Sequence, residues 1–373
     1  MVLRVAGKVV TPSGVIRQGC VEIDGERVTA VAEYPSIRDG HWIVPGFVDM
    51  HTHGGGGHTF TTGDPESARL AAEFHLGHGT TTLLGSLVSC PPELMRSATV
   101  AFAPLVAERV LAGIHYEGPY LSELRCGAQH PEYLRDADPG ELTELLDAAD
   151  GTVRMVTLAP ERPGALDAIK LLVSRGVVAA VGHTDATYEQ TRAAIDAGAT
   201  VGTHVFNGMR TPHHREPGPV YALLGAPDVV CELVADGVHL HDGTLAFAAG
   251  VAGPDRTALI TDAMSAAGMT DGDYELGGQD VVVTGGVARL RQPDGNPGAI
   301  AGSTLTMDAA LRRAVAAGIS VPDASRMASA TPARALGLDG QVGSLLPGWR
   351  ADLVMLDEDL QVVRVMRAGT WVD

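Results

Sequence analysis

The chain has 373 residues, a formal net charge of -18, 45% hydrophobic and 19% charged residues. That length holds one large barrel and a small extra domain, with the composition of a globular enzyme rather than a disordered chain. So acidic a chain argues against nucleic acid or an anionic membrane as partner, and an anionic substrate needs a local basic pocket.

Residues 1–41 read as short strands, Leu3–Val10, Cys20–Ile23 and Arg27–Ala32, broken by Pro12-Ser13-Gly14 and Asp24-Gly25. From residue 42, apolar runs alternate with helical segments. The runs are Trp42–Val48, Thr80–Leu87, Leu111–His115, Val153–Leu158, Val177–Val181, Thr200–Val205, Val229–Val234 and Ala258–Ile260. Between them lie helix signals: Asp64-Pro65-Glu66 as N-cap and N1 proline, Pro139-Gly140-Glu141 before Leu142–Ala149, and an apolar stripe over Thr187–Ala197. Eight alternations predict a (β/α)8 TIM-like barrel over 45–339, with a doubly wound sheet as the alternative. Gly272–Leu290 reads as inserted strands. Gly343–Asp373 is strand-like, with Ala351–Leu356 and Val362–Val365. Segments 1–44 and 340–373 are therefore expected to form one β-sandwich, which the insertion near 272–290 could join.

The four cysteines, Cys20, Cys90, Cys126 and Cys231, are scattered. They read as reduced thiols of a cytoplasmic protein; Cys126, beside Arg125, reads as a plain loop cysteine, with a reactive thiol as the alternative. No basic stretch precedes an apolar one at the N-terminus, and no run of about 18 apolar residues occurs, so neither a signal peptide nor a membrane span is expected.

The most informative stretch is Pro45-Gly46-Phe47-Val48-Asp49-Met50-His51-Thr52-His53-Gly54. Side chains at i and i+2 of a strand point the same way, so His51 and His53 are a ready pair of metal ligands. Glycines after them let backbone and substrate come close. Further candidates follow predicted strands: Glu117 in His115-Tyr116-Glu117-Gly118-Pro119, His183 in Gly182-His183-Thr184-Asp185, His204 in Thr203-His204-Val205-Phe206-Asn207-Gly208, and Asp262 in Ile260-Thr261-Asp262-Ala263. Active sites of this fold lie where the strands end. Imidazoles with carboxylates suit Zn(II), and also Fe(II), Mn(II) or Co(II). Six ligands exceed the four of one tetrahedral ion, and two metals bridged by Glu117 would use them all. A metal lowers the pKa of bound water towards ~7 and polarises a carbonyl. Asp262 can take that water's proton and give it to a leaving amine, which is amide hydrolysis without a covalent intermediate. Arg215, His239 and the amide at Gly208 are candidates for a small anion pocket.

At these residues the chain resembles the N-acetylglucosamine-6-phosphate deacetylase family of the amidohydrolase superfamily. The matching motifs are PGFVDMHTHG, HYEGPYL, VGHTDATY, GTHVFNGM, REPG, VADGVH, TDAM and AGSTLTM, in family order from residue 45 to 307. The resemblance implies loss of acetate from N-acetyl-D-glucosamine 6-phosphate in amino-sugar catabolism. It implies Glu117, His183 and His204 as the principal metal ligands, His51 and His53 as supports of a second metal, and Asp262 as acid/base. It also implies sugar-phosphate contacts at Asn207, Gly208, Arg215, Asp236 and His239, with Ala301, Gly302 and Ser303 near the substrate, and a homodimer in which Arg215 reaches a neighbour's site. In Ala128-Gln129-His130, Gln129 stands where part of the family has a substrate-binding histidine, so either Gln129 or His130 meets the sugar. Competing readings are the galactosamine epimer, a cyclic amidase, and a non-enzymatic sugar-phosphate sensor. Cyclic amidases bridge their metals with a lysine on a barrel strand, and the strands here have none. The intact Asp262 counts against a sensor.

Overall fold

The computed structural model of the protein describes residues 2–35 and 40–372, so Asp373, the end of the strand-like C-terminal stretch, lies outside the described residues. Eight parallel strands form the centre: Phe47–Asp49, Thr80–Val88, Gly113–Glu117, Val153–Leu158, Val178–Val181, Val201–Gly202, Val230–Val234 and Thr257–Ile260. They are hydrogen-bonded in chain order. A doubly wound sheet reverses its order at a switch point, so this order decides for the TIM-like barrel. The strands are buried almost throughout, as a sheet covered on both faces requires.

Helix starts follow their cap chemistry. The Asp64 carboxylate accepts from the amides of Glu66 and Ser67, and the Asp138 carboxylate from those of Gly140 and Glu141, each with proline at N1. Thr187 and Gln190 form a reciprocal capping box that starts Tyr188–Asp196.

First and eighth strands share no ladder. They are joined by the Asp262 amide donating to the His51 carbonyl at 2.9 Å and by the buried Asp49 carboxyl. Asp49 accepts from the Thr261 hydroxyl at 2.5 Å and the Thr261 amide at 3.3 Å. Burial pushes Asp49 up to about 7, against the pull of the Thr261 hydroxyl.

The expected strand Trp42–Val48 is two strands. Trp42–Pro45 belongs to the terminal sheet and Phe47–Asp49 to the barrel. The break is Gly46, whose amide donates to Asp352 and where a Cβ would collide with the Thr81 side chain. The terminal sheet has seven strands, ordered Thr370–Trp371, Val362–Arg367, Leu353–Leu356, Trp42–Pro45, Leu3–Thr11, Gly14–Asp24, Arg27–Glu33. It is one continuous sheet around its own core of Val5, Val21, Ile23, Ile43, Leu353 and Met366. Val28 exchanges backbone bonds with Gly348 and Trp349, which ties its far edge back to the C-terminal segment. The inserted strands Gly272–Leu276, Gln279–Thr284, Val287–Arg291 and Pro297–Ile300 make a separate antiparallel sheet rather than joining the terminal one. They pack through Leu276, Val281 and Ala301 onto Val88 and Met264 above the barrel mouth. Among the described residues, no helix is long and apolar enough to cross a membrane.

His75, on the first helix of the barrel, is fully buried and its Nε2–H donates to the Gly54 carbonyl at 2.9 Å. Burial pushes its imidazole down to about 4. Between pH 6.5 and 4 the unfolded chain therefore binds a proton that the folded chain refuses. His75's contribution is whole above pH 6.5 and is lost as pH falls towards 4. Unfolding curves of wild type and His75→Gln are expected to converge or cross over that window, by on the order of 3 kcal/mol. Parallel curves would place the acid sensitivity elsewhere.

Candidate metal centre

Two groups of buried ligand atoms meet at the barrel mouth: His51, His53 and Asp262, and Glu117, His183 and His204. Within each group all ligand atoms lie within 4.8 Å of one another. The Nε2 atoms of His51 and His53 are 3.1 Å apart, as are those of His183 and His204. Two nitrogens on one tetrahedral ion, with bonds of about 2.0–2.1 Å, sit roughly 3.3 Å apart, so both pairs match a shared cation. Glu117 reaches both groups. Its Oε1 is 3.0 Å from His183 Nε2 and 2.9 Å from His204 Nε2, and its Oε2 is 3.2 Å from His53 Nε2.

Local backbone explains how the ends of separate strands supply these groups. His51 and His53 follow the first strand, and Glu117 closes the third. His183, His204 and Asp262 come just after the fifth, sixth and eighth strands with φ of 44°, 25° and 49°. Non-glycine residues avoid this left-handed region, at a cost of about 1 kcal/mol or more each. The turn it produces brings each side chain over the barrel axis instead of along the strand.

What fixes the chemistry of the four imidazoles is on their other side. His53 Nδ1 faces the Ser86 carbonyl at 3.2 Å, His183 Nδ1 the Arg125 carbonyl at 2.8 Å, and His204 Nδ1 the Asn207 carbonyl at 3.1 Å. His51 Nδ1 faces the Glu232 carboxylate at 3.1 Å. Carbonyls only accept, so Nδ1 carries the hydrogen and each Nε2 lone pair points inward. This is a divalent-metal site.

Its electrostatics agree. Burial opposes charge on Glu117, yet the surrounding imidazoles hold its carboxyl well below the usual range. Asp262 is likewise held low against burial by His51 and His53. Both carboxylates are ionised in a dry site, which calls for compensating positive charge. Burial disfavours charge on His53, but Asp262 and Glu117 carry its pKa up to about 9. The carboxylates thus attract whatever cation is at hand, proton or metal.

Above the metal ligands lies a cavity of about 230 Å³ lined by Ala128, Gln129, Asn207, Gly208, His239 and Gly302, and walled by Leu276 and Ile300 of the inserted sheet. Asp236 accepts from His239 Nδ1 at 2.7 Å, and His239 Nε2 is 3.8 Å from Asp262 Oδ2. Burial opposes charge on His239 too, but Asp236 and Asp262 push its pKa up. Ala301 is buried beneath Gly302 in the inserted sheet's core, and Ser303 braces the site by donating its amide to the Asp262 carbonyl at 2.7 Å.

Three expectations change. Gln129 is committed within the protein: its Nε2 donates to Glu117 Oε2 and its Oε1 accepts from the Ser89 amide, both at 2.7 Å. It lines the cavity but positions Glu117. His130 does not line the cavity; it caps Glu132 and stacks on Tyr133. Arg215 is exposed, 2.8 Å from His214, and within one chain it does not join His239 or Gly208 in an anion pocket. Cys126 fits the plain reading, since it is half-buried and burial raises its thiol pKa.

The family model described as the amidohydrolase family matches residues 42–372. The chain belongs to the amidohydrolase family. Among its relatives, an N-acetylgalactosamine-6-phosphate deacetylase of Escherichia coli O157:H7 is 38% identical over 98% of this chain and 97% of that protein. An N-acetylglucosamine-6-phosphate deacetylase of Lysinibacillus sphaericus is 35% identical over 88% and 85%. A solved structure of N-acetyl-D-glucosamine-6-phosphate deacetylase from Mycobacterium smegmatis, a mutant in complex with N-acetyl-D-glucosamine 6-phosphate, is 49% identical. It superposes with a TM-score of 0.95 and covers 99% of each chain.

Sequence reasoning missed two buried residues of this amidohydrolase site. Glu232 holds His51 Nδ1 and accepts from the His204 amide at 3.2 Å. His115 lies 4.6 Å from the His51 ring between Ser86 and Thr157, and burial and the neighbouring His51 keep its pKa well below normal. The available signal was a lone carboxylate inside the apolar run Val230-Cys231-Glu232-Leu233-Val234. Gly208 has φ +59°, and a Cβ there would lie 2.8 Å from His183 Nδ1. Gly208→Ala is expected to tilt that ring away from the Arg125 carbonyl and weaken metal affinity roughly 10- to 100-fold. Competition with a chelating dye measures it, and wild-type affinity would show that the carbonyl bond does not set the ring.

Proposed function

We propose that this amidohydrolase removes the acetyl group of N-acetyl-D-glucosamine 6-phosphate, giving D-glucosamine 6-phosphate and acetate. The observation that carries the reading is one ionised carboxylate, Asp262, at the floor of a sugar-sized cavity, 3.3 Å from His53 Nε2 and 3.8 Å from His239 Nε2. The relatives named for this reaction support it, and so does the solved complex of the M. smegmatis enzyme.

Glu117, His183 and His204 would hold one divalent cation, and His51, His53 and Asp262 a second shared through Glu117. Zinc suits this nitrogen and carboxylate set best, with iron, manganese or cobalt as alternatives. When bound, such cations acidify water and polarise the amide carbonyl. In hydrolysis water adds to the carbonyl carbon and the C–N bond breaks. Asp262 accepts the water's proton and returns it to the leaving nitrogen. His239, fixed by Asp236 and carrying a raised pKa, presents an N–H from Nε2 to substrate oxygen. The backbone of Ala128, Asn207, Gly208 and Gly302 shapes the sugar pocket, while Ala301 and Ser303 hold the last of these in place. Phosphate selection falls to Arg215 acting across a homodimer. Its exposure supports this, as do the exposed apolar residues Tyr221 and Phe247 on the two helices that follow it. A cytoplasmic location fits the four free thiols.

Acetate release should be fastest from N-acetyl-D-glucosamine 6-phosphate. The E. coli relative makes N-acetyl-D-galactosamine 6-phosphate the second substrate to assay. Equal turnover of unphosphorylated N-acetylglucosamine would overturn phosphate selection. Asp262→Asn is expected to lower kcat roughly 100- to 10,000-fold with the barrel's melting transition retained; near-normal turnover would remove Asp262 from its role. Elemental analysis after saturation should find two metal equivalents per chain, and one equivalent would overturn the bridged pair.

A further inference from the structure

At the end of the barrel away from the metal ligands, a second cavity of about 300 Å³ lies between the barrel and the terminal sheet. Its barrel wall is made where strands begin, by Thr81, Thr82, Ala112 and Arg154. Its other wall and rim carry Arg27, Arg109, Arg350 and Arg367. Five of the 27 basic residues of a chain with net charge -18 thus surround one space.

Few carboxylates answer them. Asp352 pairs with Arg350, whose guanidinium also donates to Thr82 Oγ1 at 2.8 Å. Glu26 meets Arg109 at the exposed rim, 3.3 Å away. Arg27 donates to the Gly348 carbonyl. Arg367 donates to the Arg109 carbonyl, and burial together with Arg350 lowers its pKa. Arg154 is half-buried and its Nε is buried with no hydrogen-bond partner. Among the described residues, neither Arg154 nor Arg367 has a carboxylate within ion-pair distance. The space for Arg154 is built: it passes over Gly113, where a Cβ would collide with Arg154 Cγ. The Arg154 Nε, buried without an acceptor, is costly to leave unsatisfied, and a forked, multiply charged acceptor satisfies it together with neighbouring guanidiniums.

We propose that this cavity is a binding site for a phosphate-bearing small molecule, gripped by Arg154 from the barrel and Arg367 from the terminal sheet. The site is independent of the reaction at the mouth. Because its two walls belong to different bodies of the fold, the bound anion pins one to the other and raises thermal stability by mass action.

The probe is inorganic phosphate, titrated to 20 mM against chloride at constant ionic strength, with glucose 6-phosphate as a second arm and Tm of the metal-loaded protein as the readout. Phosphate is expected to raise Tm by several degrees in wild type and equally in His239→Asn, which disables anion contacts at the mouth. Arg154→Gln and Arg367→Gln should each lose the rise, and Arg154→Lys should keep part of it. If one glutamine variant fails to fold, the other tests the opposite wall. A lower half-effect concentration for glucose 6-phosphate would identify a phosphorylated metabolite, and equal values free phosphate; both support the site. A rise that survives in the glutamine variants, one lost in His239→Asn, or none in wild type would overturn it.

Discussion

Four hydrogen bonds on the outer side of four imidazoles decide what the centre of this barrel can be. A histidine alone is ambiguous, since either ring nitrogen can carry the hydrogen. Here a carbonyl or carboxylate sits behind each ring, and the inward nitrogen is left as a lone pair. The acceptors come from scattered places: Ser86 on the second strand, Glu232 on the seventh, Arg125 and Asn207 in the loops above. The metal-binding property is therefore distributed through the packing of the whole barrel. Even Gln129, which lines the cavity above the ligands, serves it by holding Glu117.

Much of this was legible in the sequence, because strand ends are. Periodic apolar runs locate strands, and polar residues just beyond them face one mouth, so His51, His53, Glu117, His183, His204 and Asp262 could be read together. The supports were not legible. Glu232 and His115 lie within strands, where a single polar residue looks like any other, and their partners are distant in sequence. The split at Gly46 was hidden for a related reason. Trp42 to Val48 is uniformly apolar, and periodicity cannot say that its halves pair with different sheets. Arg215 marks another boundary, since the anion pocket expected of it does not form within one chain.

The distribution of charge has a similar logic. The chain is strongly acidic, yet five arginines gather around one cavity at the base of the barrel. At the mouth the balance is the reverse: Glu117 and Asp262 are ionised among imidazoles and call for a cation. At the base, guanidiniums outnumber carboxylates, and the fold tolerates the repulsion because Arg27 and Arg109 are exposed and Arg154, Arg350 and Arg367 are only half-buried.

The seam between the first and eighth strands ties these themes together. Asp49 and Thr261 are 212 residues apart, and they join where no strand ladder does. The neighbouring residues His51 and Asp262 are bonded through their backbones and are also two donors of one cation site. Coordination there would act as a buckle on a hoop, fastening the ends of a long loop whose closure costs the chain entropy. The persistence of the folded protein in a cell would then be metered by metal supply, with starvation loosening the hoop at the point where proteases gain entry. One ion would then complete both the chemistry of the barrel and its enclosure.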